Sequence, residues 1–248
     1  MVLYSGGFRY DQLIEFVSEL ILVATGFGET ETDHCQIIDV TDTTKVCMEM
    51  PSYPSQMYTG TGRIVSDDII ICGGKPIGAK FQSSCYTFNV SSYSWVFLSD
   101  MMVERSQMTS AVLNGALWIT GGYTSNGGSE DASTELVYPN GTVLPGPTLP
   151  SARDDHCMVN LHDDTIMILG SDGGTTDKKN SIVYDPFTDV FSTTSPMLYD
   201  RKRAGCALFQ SSLHGNRPVV LVVGGEHTNT AELFDYTSSS GWEESMYL

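Results

Sequence analysis

Positive charge is scarce in this chain of 248 residues: 13 Lys and Arg stand against 30 Asp and Glu, a formal charge of -17. So acidic a surface repels phosphate backbones and anionic headgroups, which argues against nucleic acid as a partner. Long apolar runs are lacking as well. "ELILVATGFG" (19–28) and "PVVLVVGG" (218–225) fall short of the roughly 20 residues that span a bilayer as a helix, so no membrane insertion is expected. The opening "MVLYSGGFRYDQLIEF" breaks with Gly, Arg and Asp where a signal peptide needs an unbroken apolar stretch. Histidine clustering is missing too: His34, His156, His162, His214 and His227 form no short metal-ligand spacing. No nucleophile elbow frames a Ser-His-Asp triad. These absences point away from a metal, a cofactor and an enzyme.

What is present is a period. With 41% hydrophobic and 17% charged residues the chain has the composition of a folded protein. β-type runs ending in glycine recur as "ILVATGFG", "IIICGG", "ALWITGG", "TIMILGS" and "VVLVVGG". Their markers, residues 73–74, 121–122, 170–171 and 224–225, are 48, 49 and 54 apart, and the first step, from 27–28, is about 46. A second run after each marker carries Ile38, Phe88, Tyr138, Tyr184 and Phe234, at steps of 50, 50, 46 and 50. Trp95, Phe191 and Trp242 follow three of these positions after seven or eight residues. Ahead of each marker lies a hairpin signal, Asn114-Gly115 the strongest, with Asp67-Asp68 and Asp163-Asp164 in the matching places. Each unit therefore reads as four short strands with no helical period. A layered sandwich uses such strands equally well, but a period near 50 favours sheets stacked radially around an axis, a β-propeller.

The doublets Gly73-Gly74, Gly121-Gly122 and Gly224-Gly225, the pairs Phe88 with Trp95, Tyr184 with Phe191 and Phe234 with Trp242, and the recurring Arg105, Arg153 and Arg201 together resemble the kelch repeat over about residues 20 to 248. Gly26-Phe27-Gly28 and Gly170-Ser171 depart from the doublet, and Tyr138 lacks its later aromatic. The glycines permit φ values or close approaches that a side chain would block, and the aromatics pack between sheets. The arginines are read as hydrogen-bonding to carbonyls of the glycine turn in the same or the next blade. Blades are expected at about 17–52, 53–103, 104–151, 152–199 and 200–248, with 1–16 a lead-in or the remnant of a preceding blade. Kelch relatives usually close with six or seven blades, so the resemblance leaves two readings: a five-bladed ring or a piece of a larger one.

Hairpin registers make Cys35–Cys47 and Cys72–Cys85 feasible disulfides. Cys157 and Cys206, 49 residues apart in equivalent strands, read as small buried thiols left free. Asn89-Val90-Ser91 and Asn140-Gly141-Thr142 have the form of glycosylation acceptors. With the cysteine pattern they favour an extracellular or cell-surface protein and resemble secreted or ectodomain animal kelch proteins.

Catalytic readings find little support. The copper oxidases that share such propellers need two His and two Tyr at one centre; His156 instead resembles the polar residue that follows the kelch Arg. "GSDGGTTD" (170–177) matches a sialidase-type turn only in part, and Asp172 with Asp177 offers a weak calcium site. The preferred function is non-catalytic binding of a protein through the loops 75–82, 123–132, 172–180 and 226–230, with Phe81, Tyr123, Lys178 and Lys179 as contacts. The alternatives are an intracellular kelch adaptor of the cytoskeletal or ubiquitin-pathway kind and, further off, a copper-oxidase-like or glycan-processing enzyme.

Overall fold

The computed structural model describes residues 12–17, 20–27, 31–39, 48–76, 78–125, 129–172, 178–226, 228–238 and 240–245, as backbone alone before Met50. Among them, five four-stranded antiparallel sheets follow one another along the chain. The first is Gln12–Val17, Leu20–Phe27, Glu31–Asp39 and Met48–Met50; the second is Thr61–Val65, Asp68–Gly74, Gln82–Asn89 and Ser94–Asp100. The third comprises Thr109–Leu113, Ala116–Thr120, Thr134–Val137 and Val143–Pro145. Cys157–Asn160, Ile166–Leu169, Ser181–Asp185 and Val190–Thr193 make the fourth, and Gly205–Ser211, Arg217–Val223, Ala231–Phe234 and Glu243–Glu244 the fifth. Strand order in each of these sheets follows chain order, and Arg105–Ser106, Tyr123–Thr124 and Ser129–Glu130 form a further small three-stranded sheet beside the third. The chain divides into two compact units, Phe8–Thr148 with the first three sheets and Leu149–Leu248 with the last two.

Within each unit, successive sheets pack face to face. Ile70 and Cys72 of the second sheet share a core with Leu117, Ile119 and Val137 of the third, and Met167 and Leu169 of the fourth share one with Val220, Val222 and Phe234 of the fifth. A second strand covered on both faces needs apolar residues at successive positions rather than alternation, which is why "DIIICGG", "ALWIT" and "IMIL" read as unbroken runs. Each side chain fully buried there contributes about 1.5–3 kcal/mol. Asn114 and Gly115 have φ of 50 and 72, the left-handed values that a two-residue hairpin turn requires.

Three sequence expectations shift. The first sheet begins at Gln12, inside the segment read as a lead-in or the remnant of a preceding blade: Gln12–Val17 pairs with Leu20–Phe27. Tyr138 is not the repeat position. Val137, fully buried and paired with Val143, occupies the place that Phe88, Tyr184 and Phe234 fill elsewhere, while Tyr138 lies just past the strand end. The third corner is aliphatic, and the aromatic that follows it by one residue takes its place in the sequence register. Finally, Cys157 and Cys206 are not free: they form a disulfide, Cα–Cα 6.2 Å, tying the first strands of the fourth and fifth sheets. Equivalent positions on facing innermost strands lie within bridging reach, and a reading confined to single hairpins misses that.

Cys72 and Cys85 sit directly opposite across their hairpin and are bridged, Cα–Cα 4.1 Å. Cys35 is paired in register with Met50, and Cys47, its expected disulfide partner, lies outside the described residues. The outer-strand tryptophans repeat a hydrogen bond. Trp95 donates Nε1–H to the Pro51 carbonyl (3.0 Å) and Trp242 to the Ser195 carbonyl (3.0 Å), each reaching the segment that leads into its own sheet. Trp242 is buried and stacked on Phe234, whereas Trp95 is half-buried against Tyr53 and Phe88.

Candidate functional site

Loops can present side chains only if the strand ends beneath them are fixed, and three buried arginines do this. Arg105 donates to the carbonyls of Gly121 (2.6 Å) and Ser133 (3.1 Å), Arg153 to that of Gly170 (2.9 Å), and Arg201 to those of Gly224 (2.6 Å) and Thr230 (2.9 Å). Each thus holds the first glycine of its own sheet's marker to the start of that sheet's third strand. The glycines are needed for a second reason. Gly73 and Gly170 have φ of +60 and +67, and a Cβ on either would collide with the backbone carbonyl of the arginine entering the next sheet, Arg105 or Arg201.

Two glutamates that the sequence reading did not single out complete the arrangement. Glu135 and Glu232, both buried, bind Arg105 and Arg201 at 2.8 Å. They also accept the backbone N–H groups of Met102 and Val103 (2.5 and 3.1 Å) and of Leu198 and Tyr199 (2.5 and 3.2 Å). In the fourth sheet Asn180 serves Arg153 instead, through Oδ1 at 2.9 Å. A signal existed: with Val137 in register, Glu135 and Glu232 both stand two residues before the repeat position.

On this framework Phe81 and Tyr123 come together, ring centroids 6.0 Å apart and edge to face. Phe81 precedes the third strand of the second sheet and Tyr123 follows the glycine doublet of the third, so two successive sheets each supply one ring. The Lys75 ammonium lies 5.0 Å from the Phe81 centroid, a cation–π arrangement. Lys75, Ala79, Lys80, Phe81, Glu104 and Ser125 line an open depression of about 450 Å³, and the Ser125 hydroxyl donates to Glu104 at 3.0 Å. Its lining combines one aromatic ring, Phe81, with two lysines and one carboxylate, and Tyr123 stands against Phe81 beside it.

Lys178 and Lys179 are placed differently. Lys179 donates to the Leu198 carbonyl at 2.7 Å, and Lys178 lies 3.9 Å from Asp172. Asp172 belongs to a charged network: Lys202 bridges it (3.0 Å) to Glu226 (2.7 Å), and Arg203 bridges Glu226 (3.4 Å) to Asp155 (2.8 Å). Burial acts to lower the Lys202 pKa, but hydrogen bonds to Glu226 and Asp172 outweigh it and raise the value above that of ordinary lysine. Asp154, Asp155 and Asp172 have carboxylate oxygens within 4.8 Å of one another, the one such group among the described residues. Cations already compensate Asp155 and Asp172, and Asp177 lies outside the described residues. His156 is buried, and burial, then neighbouring Arg153, push its pKa down to about 3, so it is neutral at physiological pH.

No family model and no curated protein matches the sequence. Solved structures do match. That of the protein YjhT superimposes with a TM-score of 0.78 over 96% of this chain and 83% of its own, at 12% identity. A likeness at that identity carries the fold, and the five repeated sheets agree with it: the chain is an all-β protein of the β-propeller class.

Proposed function

We propose that this protein is a non-catalytic recognition module of the kelch type, extracellular or at the cell surface, that binds a protein partner through the depression around Phe81 and Tyr123. The observation that carries the reading is the convergence of those two rings from successive sheets beside Lys75 and Lys80. Aromatic anchors in a fixed framework are the groups that concentrate interface energy, and the third sheet, clamped by buried Arg105, presents Tyr123 with little ordering cost on binding. Two disulfides support an oxidising location.

Affinity capture from the source tissue with the native protein and with Phe81→Ala/Tyr123→Ala tests the assignment. Removing two anchors should weaken retention of the cognate partner by about 2–4 kcal/mol, roughly 30-fold or more, with the folded state unchanged. Equal recovery of every partner by both proteins overturns the site. Lys178→Glu/Lys179→Glu serves as a comparison, since Lys179 is engaged by the Leu198 carbonyl and Lys178 faces Asp172.

A further inference from the structure

The outermost strand of the second sheet, Ser94–Asp100, is unlike its counterparts. It runs for seven residues, whereas the outermost strands of the other sheets run for two to four. It also exposes Val96 (43%) and Phe97 (53%), with Val90 (78%) and Tyr93 (47%) on the turn before it. A long outer edge bearing exposed apolar side chains is a template for pairing with another chain unless something guards it.

The two acceptor sequences, 51 residues apart in the chain, meet at this strand. Asn89 is paired directly with Ser94 at its start. Gly141, the middle residue of the second acceptor, packs so closely on the strand's far half that a Cβ there would stand 3.1 Å from the Leu98 carbonyl oxygen. Both asparagines are exposed, Asn89 at the end of its strand and Asn140 in a turn. In each, Oδ1 accepts a backbone N–H, from Ser92 for Asn89 (3.0 Å) and from Thr142 for Asn140 (3.0 Å), which leaves Nδ2 directed away from the bonded backbone.

We infer that Asn89 and Asn140 carry N-linked glycans that bracket Val96 and Phe97 and guard this edge. The bond formed joins Nδ2 to the anomeric carbon of the transferred sugar. The donor is a lipid-pyrophosphate-linked oligosaccharide; its pyrophosphate leaves with the bonding electron pair, and Nδ2 loses one proton. The inference rests on the extracellular location proposed above, and it assigns the apolar edge to carbohydrate cover, with the partner-binding depression elsewhere on the same two sheets.

Non-reducing peptide mapping of protein from its native source separates the two ideas, because tryptic residues 81–105 contain both Cys85 and Asn89. The expected peptide is disulfide-linked through Cys85 and glycosylated at Asn89, with Asn140 glycosylated in its own peptide. Oxidised Cys85 beside unmodified Asn89 and Asn140 overturns the glycan assignment and leaves the location intact. Reduced Cys85 with both asparagines unmodified overturns both. Shielding is read on the folded protein, without relying on a variant that has to fold unglycosylated: enzymatic removal of the glycans should raise the apparent mass in size exclusion as concentration increases, and Phe97→Lys should abolish that rise. An apparent mass that stays constant after deglycosylation overturns the guarding role.

Discussion

Among single residues, Arg201 is the sharpest test of how the strand ends are held. It is buried with Glu232, and Glu232 also receives two backbone N–H groups. Arg201→Met should cost about 3–5 kcal/mol in urea unfolding, because it leaves a buried carboxylate uncompensated. Adding Glu232→Gln should recover part of that loss: the charge goes, while the single amide oxygen still accepts from one of Leu198 and Tyr199. Additive losses would show that the two do not act as a pair. The protein contains a natural precedent for the substitution. Counting back 48 residues from Arg201, Arg153 and Arg105 in turn arrives at Met57, which is buried in the second sheet's entering segment. His156 gives the second prediction. Its folded pKa is depressed to about 3 from the ordinary 6.5, by burial first and then by Arg153. Above about pH 6.5 both folded and unfolded states hold it neutral and it has no effect. Below that the unfolded chain takes up the proton and the folded one does not, so stability falls on acidification toward pH 3, by up to about 1.4 kcal/mol per pH unit. His156→Gln should flatten this window in urea midpoints measured from pH 7 to pH 4; an unchanged slope would remove His156 as its cause.

At the scale of strands and sheets, what the sequence disclosed follows from how locally each feature is encoded. The glycine markers, Asn114-Gly115 and the Phe88–Trp95 pair are fixed by neighbours within one hairpin, and all three are formed where the spacing put them. Features that depend on contact between successive sheets were hidden. The Cys157–Cys206 bridge joins two sheets, and the nearness of Phe81 to Tyr123 needed both strand ends to be placed. The glutamates were masked by the one-residue slip at Tyr138. A register that takes Tyr138 for the corner cannot see that Val137 does the same packing. Four of the non-glycine residues at positive φ, Thr59, Gln107, Asp155 and Arg203, stand 48 apart, a periodicity of backbone conformation that no shared residue type announces. The Gln107 N–H donates to the Thr59 carbonyl at 2.9 Å and the Arg203 N–H to that of Asp155 at 2.7 Å, so these left-handed positions link successive sheets. The inter-sheet bridge also makes the element-scale prediction. Its separation of 49 residues, against 13 for Cys72–Cys85, implies stabilisation of roughly 4 rather than roughly 3 kcal/mol in the loop-closure picture. Cys157→Ser/Cys206→Ser should therefore lower stability more than Cys72→Ser/Cys85→Ser in thermal unfolding under oxidising conditions. The reverse order would show that the unfolded chain already keeps the fourth and fifth sheets close.

For the molecule as a whole, charge sets a prediction whose sign is open to two opposing effects. A formal charge of -17 makes the folded chain repel itself, and that repulsion is strongest where charges are closest, in the compact state. Salt relieves it: raising ionic strength from 0.01 to 0.15 M shortens the screening length from about 30 to about 8 Å. Salt also weakens ion pairs, and the Lys178, Lys202 and Arg203 network with Asp155, Asp172 and Glu226 is partly exposed. Pairs of that kind contribute only about 0–1 kcal/mol each, whereas the two arginine–glutamate pairs are buried and largely shielded from mobile ions. Relief of repulsion among the excess carboxylates should therefore prevail, and the thermal midpoint at neutral pH should rise with sodium chloride over this range. Arg203→Gln should steepen the rise, since it removes a positive charge from the network and adds to the net negative charge. A midpoint that falls with salt would mean that the ion-pair network, and not repulsion among the excess carboxylates, dominates the charge-dependent part of stability.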